Sequence, residues 1–272
     1  MNPLPHPLTG ELFGSPVRPG RGWPGDPATA RTPIARTPED VESLSAGAQL
    51  PQLDARISVC RACPRLVQWR EEVALTKRAS YAAEPYWGRP VAGFGPVPAG
   101  VLVVGLAPAA NGGNRTGRVF TGDKSGDWLF ASLHRVGLAN QATATHAGDG
   151  LELIDTRIIA TLRCAPPANK PTPQERDTCS PWLHRELELL LPKAKVIVPL
   201  GSYGWDATLR ALRELGAGVS PKPRFGHGVE ARVGALTLLG CYHPSQHNTF
   251  TGRLTEEMTD RVMARARELA GH

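Results

Sequence analysis

Four cysteines at ligand-like spacing restrict how this chain folds more than any other feature. Cys60 and Cys63 form a Cys-x-x-Cys pair, Cys164 and Cys179 stand far downstream, and the fifth, Cys241, lies apart. Four thiolates held by one metal group require that distant segments meet at one point. Such a set suits tetrahedral zinc or an iron-sulfur cluster, and spacing alone does not separate the two. An odd total of five fits a reduced compartment with a metal site better than a disulfide framework. Cys241 follows Leu238-Leu239-Gly240 at the end of an apolar run and reads as a buried, unligated thiol.

The segments that would have to converge alternate between strand and helix patterns. Val101 to Val104 is a continuous apolar run that reads as a buried strand feeding a glycine-rich loop, Gly105 to Gly122. A helix with the stripe Leu129, Leu133 and Val136 follows, closed by Gly137. A strand is expected near 156–163. After it a helix starts at 173, with Thr172 as N-cap, Pro173 in the first turn and Glu175 completing a capping box. On that helix Cys179 shares a face with Leu183, Leu187 and Leu190, so its thiol points inward. Lys195 to Leu200 reads as a strand, 205–215 as a helix, Leu236 to Cys241 as a strand, and a last helix begins near Thr255. Strands alternating with crossover helices predict an α/β fold with a parallel sheet, and ligands in such sheets bind at the carboxyl ends of the strands.

Residues 1–52 hold ten of the 26 prolines and show no apolar periodicity, so the expectation there is a disordered extension before a domain at 53–272. Charge sharpens the contrast. Residues 1–56 carry five arginines and six acids, net −1, and since the whole chain is +6 the remainder is +7. That favours a polyanionic partner. No apolar run is long enough to span a membrane and no export signal pattern is visible, so a soluble cytoplasmic protein without membrane contact is expected, most simply a monomer.

Two loops carry the polar chemistry. The first runs from Gly105 through Asn111, Asn114, Arg115 and Phe120 to Asp123; it is neither a Walker A loop nor a GxGxxG turn. The second runs from His243 through Ser245 and Asn248 to Arg253. With Arg163-Cys164-Ala165-Pro166-Pro167-Ala168-Asn169-Lys170-Pro171 and the four cysteines, these loops make residues 55–270 resemble a family 5 uracil-DNA glycosylase, the UdgB type of bacteria and archaea. The resemblance implies a three-layer glycosylase fold with a central four-stranded parallel sheet flanked by helices. It also implies a 4Fe-4S cluster on Cys60, Cys63, Cys164 and Cys179, and uracil-containing DNA as partner.

It further implies a monofunctional glycosylase that initiates base-excision repair on uracil and other deaminated or modified bases. The base is extruded from the helix before the chemistry. Phe120 matches the family's stacking aromatic, with Gly105, Ala107 and Asn114 beside the base. His243 is the donor candidate for the base oxygen. The position after Gly105, acidic or amide-bearing in related glycosylases, is Leu106 here, which leaves Asp123 and Asn111 as water-positioning candidates. Arg115, Ser245, Asn248 and Arg253 are the DNA-contact candidates. Leu106, together with Ala160 where family 4 relatives place a pyrimidine-reading Asn, keeps open a nucleic-acid-binding protein without catalysis.

Overall fold

The structure is a computed structural model in which residues 2–271 are described. Its strands are β1 (Leu4–Pro5), β2 (Leu12–Phe13), β3 (Val101–Gly105), β4 (Thr156–Ala160), β5 (Val196–Pro199), β6 (Glu230–Val233) and β7 (Leu236–Leu239). The helices before β3 are α1 (Pro38–Ser45), α2 (Leu50–Ser58) and α3 (Pro64–Thr76). After it come α4 (Gly113–Thr116), α5 (Lys124–Arg135), α6 (Pro173–Leu190), α7 (Gly201–Glu214), α8 (Gln246–Phe250) and α9 (Glu256–Ala270).

The main sheet has the order β4-β3-β5-β7-β6. β4, β3, β5 and β7 run parallel, the four strands expected, while β6 adds a fifth, antiparallel to β7 at the edge. Glu-Ala-Arg-Val in β6 is mostly exposed and reaches β7 through Gly234, at φ 59°, and Ala235. A short polar edge strand carries no apolar run, and for that reason it gives no signal in the sequence. Along β3 the side chains alternate between two cores. Val101 and Val103 join Leu129 and Leu133 of α5 with Val262 and Met263 of α9. Leu102 and Val104 join Leu183 and Leu187 of α6 with Trp205 and Leu209 of α7. Helices therefore cover both sheet faces, and truncating Leu102 to alanine costs about 2–5 kcal/mol.

The start of α6 forms as its sequence dictates. Thr172 Oγ1 accepts from Glu175 N at 3.2 Å, and the Glu175 carboxylate accepts from Thr172 N at 2.8 Å.

Residues 1–52 differ from the disordered extension expected of them. Met1 lies outside the described residues; from residue 2 the segment is placed on the domain, and the boundary drawn at 52 falls inside α2. Phe13, Val17 and Trp23 enter the core on the α5 and α9 side, while Ala35 and Val41 pack with Leu53, Ile57 and Trp182 of α6. Asp26 accepts from both terminal nitrogens of Arg89 at 2.9 Å, with both side chains buried. Removing one partner of such a buried pair costs roughly 3–5 kcal/mol. The apolar residues here stand singly among prolines and glycines. They bury against a surface that later segments build, so they leave no local periodicity.

Candidate active site and cysteine cavity

A cleft of about 1290 Å³ opens at the carboxyl edge of the sheet. Leu106, Ala107, Asn111, Phe120 and Asp123 from the loop after β3, and His243 and Ser245 from the loop after β7, line it together. The loop after β4 adds Ala168 and Asn169, both with left-handed backbone, φ 51° and 55°.

Phe120 is 7% exposed and itself holds a left-handed backbone, φ 52°, which costs a bulky residue about 1–3 kcal/mol. Two glycines make room for it. A Cβ on Gly105 would lie 2.5 Å from the Phe120 ring, and one on Gly126 would collide with the Phe120 carbonyl. The ring thus rests on bare backbone at the end of β3, with its centroid 6.0 Å from that of His243.

Asp123 caps α5. Its Oδ1 accepts from Ser125 N at 2.9 Å and Gly126 N at 3.0 Å. Oδ2 makes no hydrogen bond among the described residues and lies against Gly112, where any side chain would strike it. Burial pushes this carboxyl above the usual carboxylate range, against the pull of the two backbone N–H groups. The cap fixes the carboxylate plane and leaves one oxygen for a ligand or water.

His243 lies beside Gly201, whose added Cβ would meet His243 Cβ at 3.3 Å. Burial lowers its pKa to about 4, so at neutral pH the ring is uncharged and offers one N–H and one lone pair. Asn248 holds the loop in place by donating from Nδ2 to the His243 carbonyl at 2.9 Å, and Ser245 caps α8 by accepting from Asn248 N. Asn111 Oδ1 accepts from the Tyr86 hydroxyl at 2.9 Å, which fixes that amide on the cleft wall.

Asn114 sits away from the cleft, and Arg115 lies at its edge bonded into the loop. Asn114 is 1% exposed and donates to the carbonyls of Arg70 and Ala110, tying α4 to α3 rather than facing the cleft. Arg115 borders the cleft, but its guanidinium is committed to Glu84 and to the carbonyls of Asn111 and Gly122, 3.9 Å from the Tyr81 ring centre. These bonds make the buried Arg115 an organiser of the loop at the edge of the cleft. Arg253, by contrast, is exposed and rests 5.0 Å from the ring centre of Tyr242. Ser245 lines the cleft, whereas Asn248 does not and also accepts from Leu254 N at its carbonyl.

The four cysteines gather in a second, smaller cavity. Cys60 follows α2, Cys63 caps α3, Cys164 follows β4 and Cys179 lies in α6, and all four line one small cavity with Leu66, Val67 and Trp182. Among the described residues, no three His, Cys, Asp or Glu side chains already stand in an arrangement that holds a metal ion. Burial, reinforced by the neighbouring thiols, raises the pKa of Cys60 and Cys63. For Cys179 burial pushes it to about 12. Arg70 and Arg163 are both 1% exposed and line the same cavity. Arg70 Nη1 donates to Cys164 Sγ at 2.8 Å, while Arg70 Nε, Arg163 Nε, Arg163 Nη1 and Trp182 Nε1 are buried without a hydrogen-bond partner among the described residues. Cys241 stands apart as expected, fully buried, donating its thiol proton to the Tyr242 carbonyl at 3.3 Å.

Trp69, Asn169, Gln246 and Leu8 also line the cleft and were not singled out from sequence. Asn169 sat inside a quoted motif, and its Pro-Pro-Ala-Asn turn was a usable signal. Leu8 had none.

Comparison with known proteins agrees with the geometry. A family model described as the uracil DNA glycosylase superfamily matches residues 92–267. A type-5 uracil-DNA glycosylase of Mycobacterium tuberculosis (strain CDC 1551 / Oshkosh) is 57% identical over 268 residues, covering 98% of this chain and 99% of that one. A type-5 uracil-DNA glycosylase of Thermus thermophilus is 48% identical over 216 residues, 79% of this chain and 95% of its own. A type-4 uracil-DNA glycosylase of Sulfurisphaera tokodaii is 26% identical over 183 residues, 66% of this chain and 74% of its own.

Proposed function

Because this chain belongs to the uracil DNA glycosylase superfamily, we propose that it hydrolyses the N-glycosidic bond of uracil in DNA as a monofunctional glycosylase, initiating base-excision repair. The observation that carries this reading is the meeting of Phe120, Asp123 and His243 on one cleft at the carboxyl edge of the sheet. Other deaminated or modified pyrimidines and purines fall within the same reading, since Ala160 offers no side-chain amide to select the base.

A nucleotide stacked in a duplex must leave the stack before its C1′ is reachable. Phe120, rigid over Gly105, provides the apolar face on which the extruded base stacks, with Ala107 beside it. When the C1′–N1 bond breaks, its electron pair moves into the base and negative charge collects on the base oxygens. A neutral His243 donates its N–H to that charge, an interaction worth roughly 3 kcal/mol by comparison with other oxyanion donors. The water oxygen bonds to C1′, and Asp123 Oδ2 orients the water and takes its proton. Asn111 positions the water from the wall. Leu106 lines the cleft without a polar atom, which is why the carboxylate at the far end of the loop takes this part.

The same reading assigns a 4Fe-4S cluster to Cys60, Cys63, Cys164 and Cys179. The cavity fits this group in its donor chemistry: four thiols, and around them two buried guanidiniums and an indole with unpartnered N–H groups. Those cations balance the thiolate charge in a site that excludes water, and free N–H donors are what inorganic sulfur accepts. When bound, the group supplies structural linkage, since glycoside hydrolysis transfers no electron. The protein is read as a cytoplasmic monomer; among the described residues no helix is long and apolar enough to cross a membrane.

The test is incubation with duplex DNA containing one uracil, followed by alkali. A strand break at the uracil position is expected, and an intact strand at enzyme excess refutes the proposal. For the cluster, brown protein with stoichiometric iron and sulfide is expected; colourless protein with stoichiometric zinc refutes it.

A further inference from the structure

The N-terminal segment reaches the cleft. β1 and β2 pair as a short antiparallel hairpin, and the turn between them is built on His6. The His6 backbone accepts from Gly10 N at 2.9 Å and donates to the Glu11 carbonyl at 2.8 Å, while its Nδ1 accepts from Leu8 N and Thr9 N at 3.3 Å. The imidazole is 1% exposed, packed edge-on against His146 at 4.3 Å and Trp23 at 4.7 Å between ring centres. A buried ring therefore anchors a turn whose tip is at the surface. That tip places Pro7 and Leu8 on the wall of the cleft that holds Phe120, Asp123 and His243. Leu8 is 47% exposed.

We propose that the His6 to Glu11 turn is a DNA-contacting lip of the cleft, with Leu8 packing against the nucleotides that flank the extruded one. This rests on the glycosylase reading for the identity of the ligand. Two observations and one physical principle select DNA as the occupant. The lip is continuous with the cleft wall, the region outside residues 1–56 carries the net positive charge of the chain, and an apolar side chain beside an extruded nucleotide fills the space left by unstacking. The turn is already ordered by His6, so binding loses little conformational entropy. The superfamily match begins only at residue 92, so the turn lies outside the matched span. The lip is thus an addition to the shared reaction machinery, and its effect falls on binding.

The experiment compares the full chain with Leu8→Ser and Leu12→Ser. Leu12 is 68% exposed on the same hairpin but does not line the cleft, so it controls for loss of surface apolar area. Affinity for a duplex carrying one uncleavable abasic-site analogue is measured by fluorescence anisotropy, and KM and kcat on a uracil duplex in parallel. Leu8→Ser is expected to raise both Kd and KM about fivefold, from partial burial of one leucine, with kcat within twofold; Leu12→Ser leaves Kd and KM unchanged. Equal values for wild type and Leu8→Ser, an equal change in Leu12→Ser, or a fall in kcat alone overturns the lip. The anisotropy arm needs no catalysis. Failure of the wild type to release uracil therefore refutes the glycosylase reading, while Kd still judges the lip.

Discussion

The cleft and the cysteine cavity share α3 and the loop after β4, yet they are opposite in kind. The cleft is wide, open to solvent and lined by backbone and polar groups, and its Asp123 and His243 each keep an unsatisfied atom or an uncharged ring. The cysteine cavity is small, apolar and closed by two arginines and a tryptophan. One is arranged to meet a substrate and the other to hold segments together. Damage to the cavity should therefore register as loss of fold, and damage to the cleft as loss of turnover in a folded protein.

The largest effect expected is from Cys179→Ser. Loss of a thiolate ligand should release iron and abolish cooperative unfolding of the region joining Cys60 to Cys179, because metal binding and folding are linked. Iron content and circular dichroism check this; an iron-free variant with wild-type Tm would erase the distinction. Next is Asp123→Asn, which keeps an oxygen for the α5 cap and removes the base. We expect kcat to fall about 10²–10³-fold with stability within about 0.5 kcal/mol, whereas Asp123→Ala also loses a cap worth about 1 kcal/mol. Wild-type turnover in Asp123→Asn would remove the carboxylate from the chemistry. His243→Ala should lower kcat about 10²-fold with duplex Kd within threefold, read from single-turnover kinetics and anisotropy.

Acid should affect stability in a defined window. Burial lowers the pKa of His243 to about 4 and of His146 to about 3. Both are therefore neutral in the fold at pH values where the unfolded chain, with histidine pKa near 6.5, takes up protons. Stability is full above pH 6.5 and falls as pH drops from there to about 4 for His243 and about 3 for His146, where the loss levels off, by on the order of 3–5 kcal/mol for each ring. Thermal unfolding between pH 7 and 4 measures the slope, and His146→Phe should flatten it; an unchanged slope would show that His146 does not contribute. The smallest effect is that of Arg253→Gln, which should leave kcat alone and reduce the salt dependence of duplex binding by about one unit of slope.

Much of the cleft was legible locally. The strand into a glycine-rich loop, the histidine directly after a strand and the capped helix of Cys179 all depend on contacts within a few residues. The bonding of Asn114 and Arg115 was not legible, because an amide or guanidinium in a polar loop looks the same in sequence whether it faces a ligand or its own backbone. Their partners, the Arg70 carbonyl and Glu84, lie in segments that only folding brings near. β6 and residues 2–52 were missed for a related reason: one is an exposed edge, and the other buries isolated apolar residues against a surface made elsewhere.

The sequence by itself determined the strand and helix alternation, the four cysteines, and the pairing of Phe120 and Asp123 on one loop with His243 on another. Local hydrophobic periodicity and capping chemistry encode these in consecutive residues. Only the tertiary structure decided that the proline-rich start is packed and that Leu8 borders the cleft. It also decided that Arg70 and Arg163 face the thiols while Asp123 keeps one oxygen free. Each of these depends on which distant surfaces exclude water together, and that is a property of the folded chain.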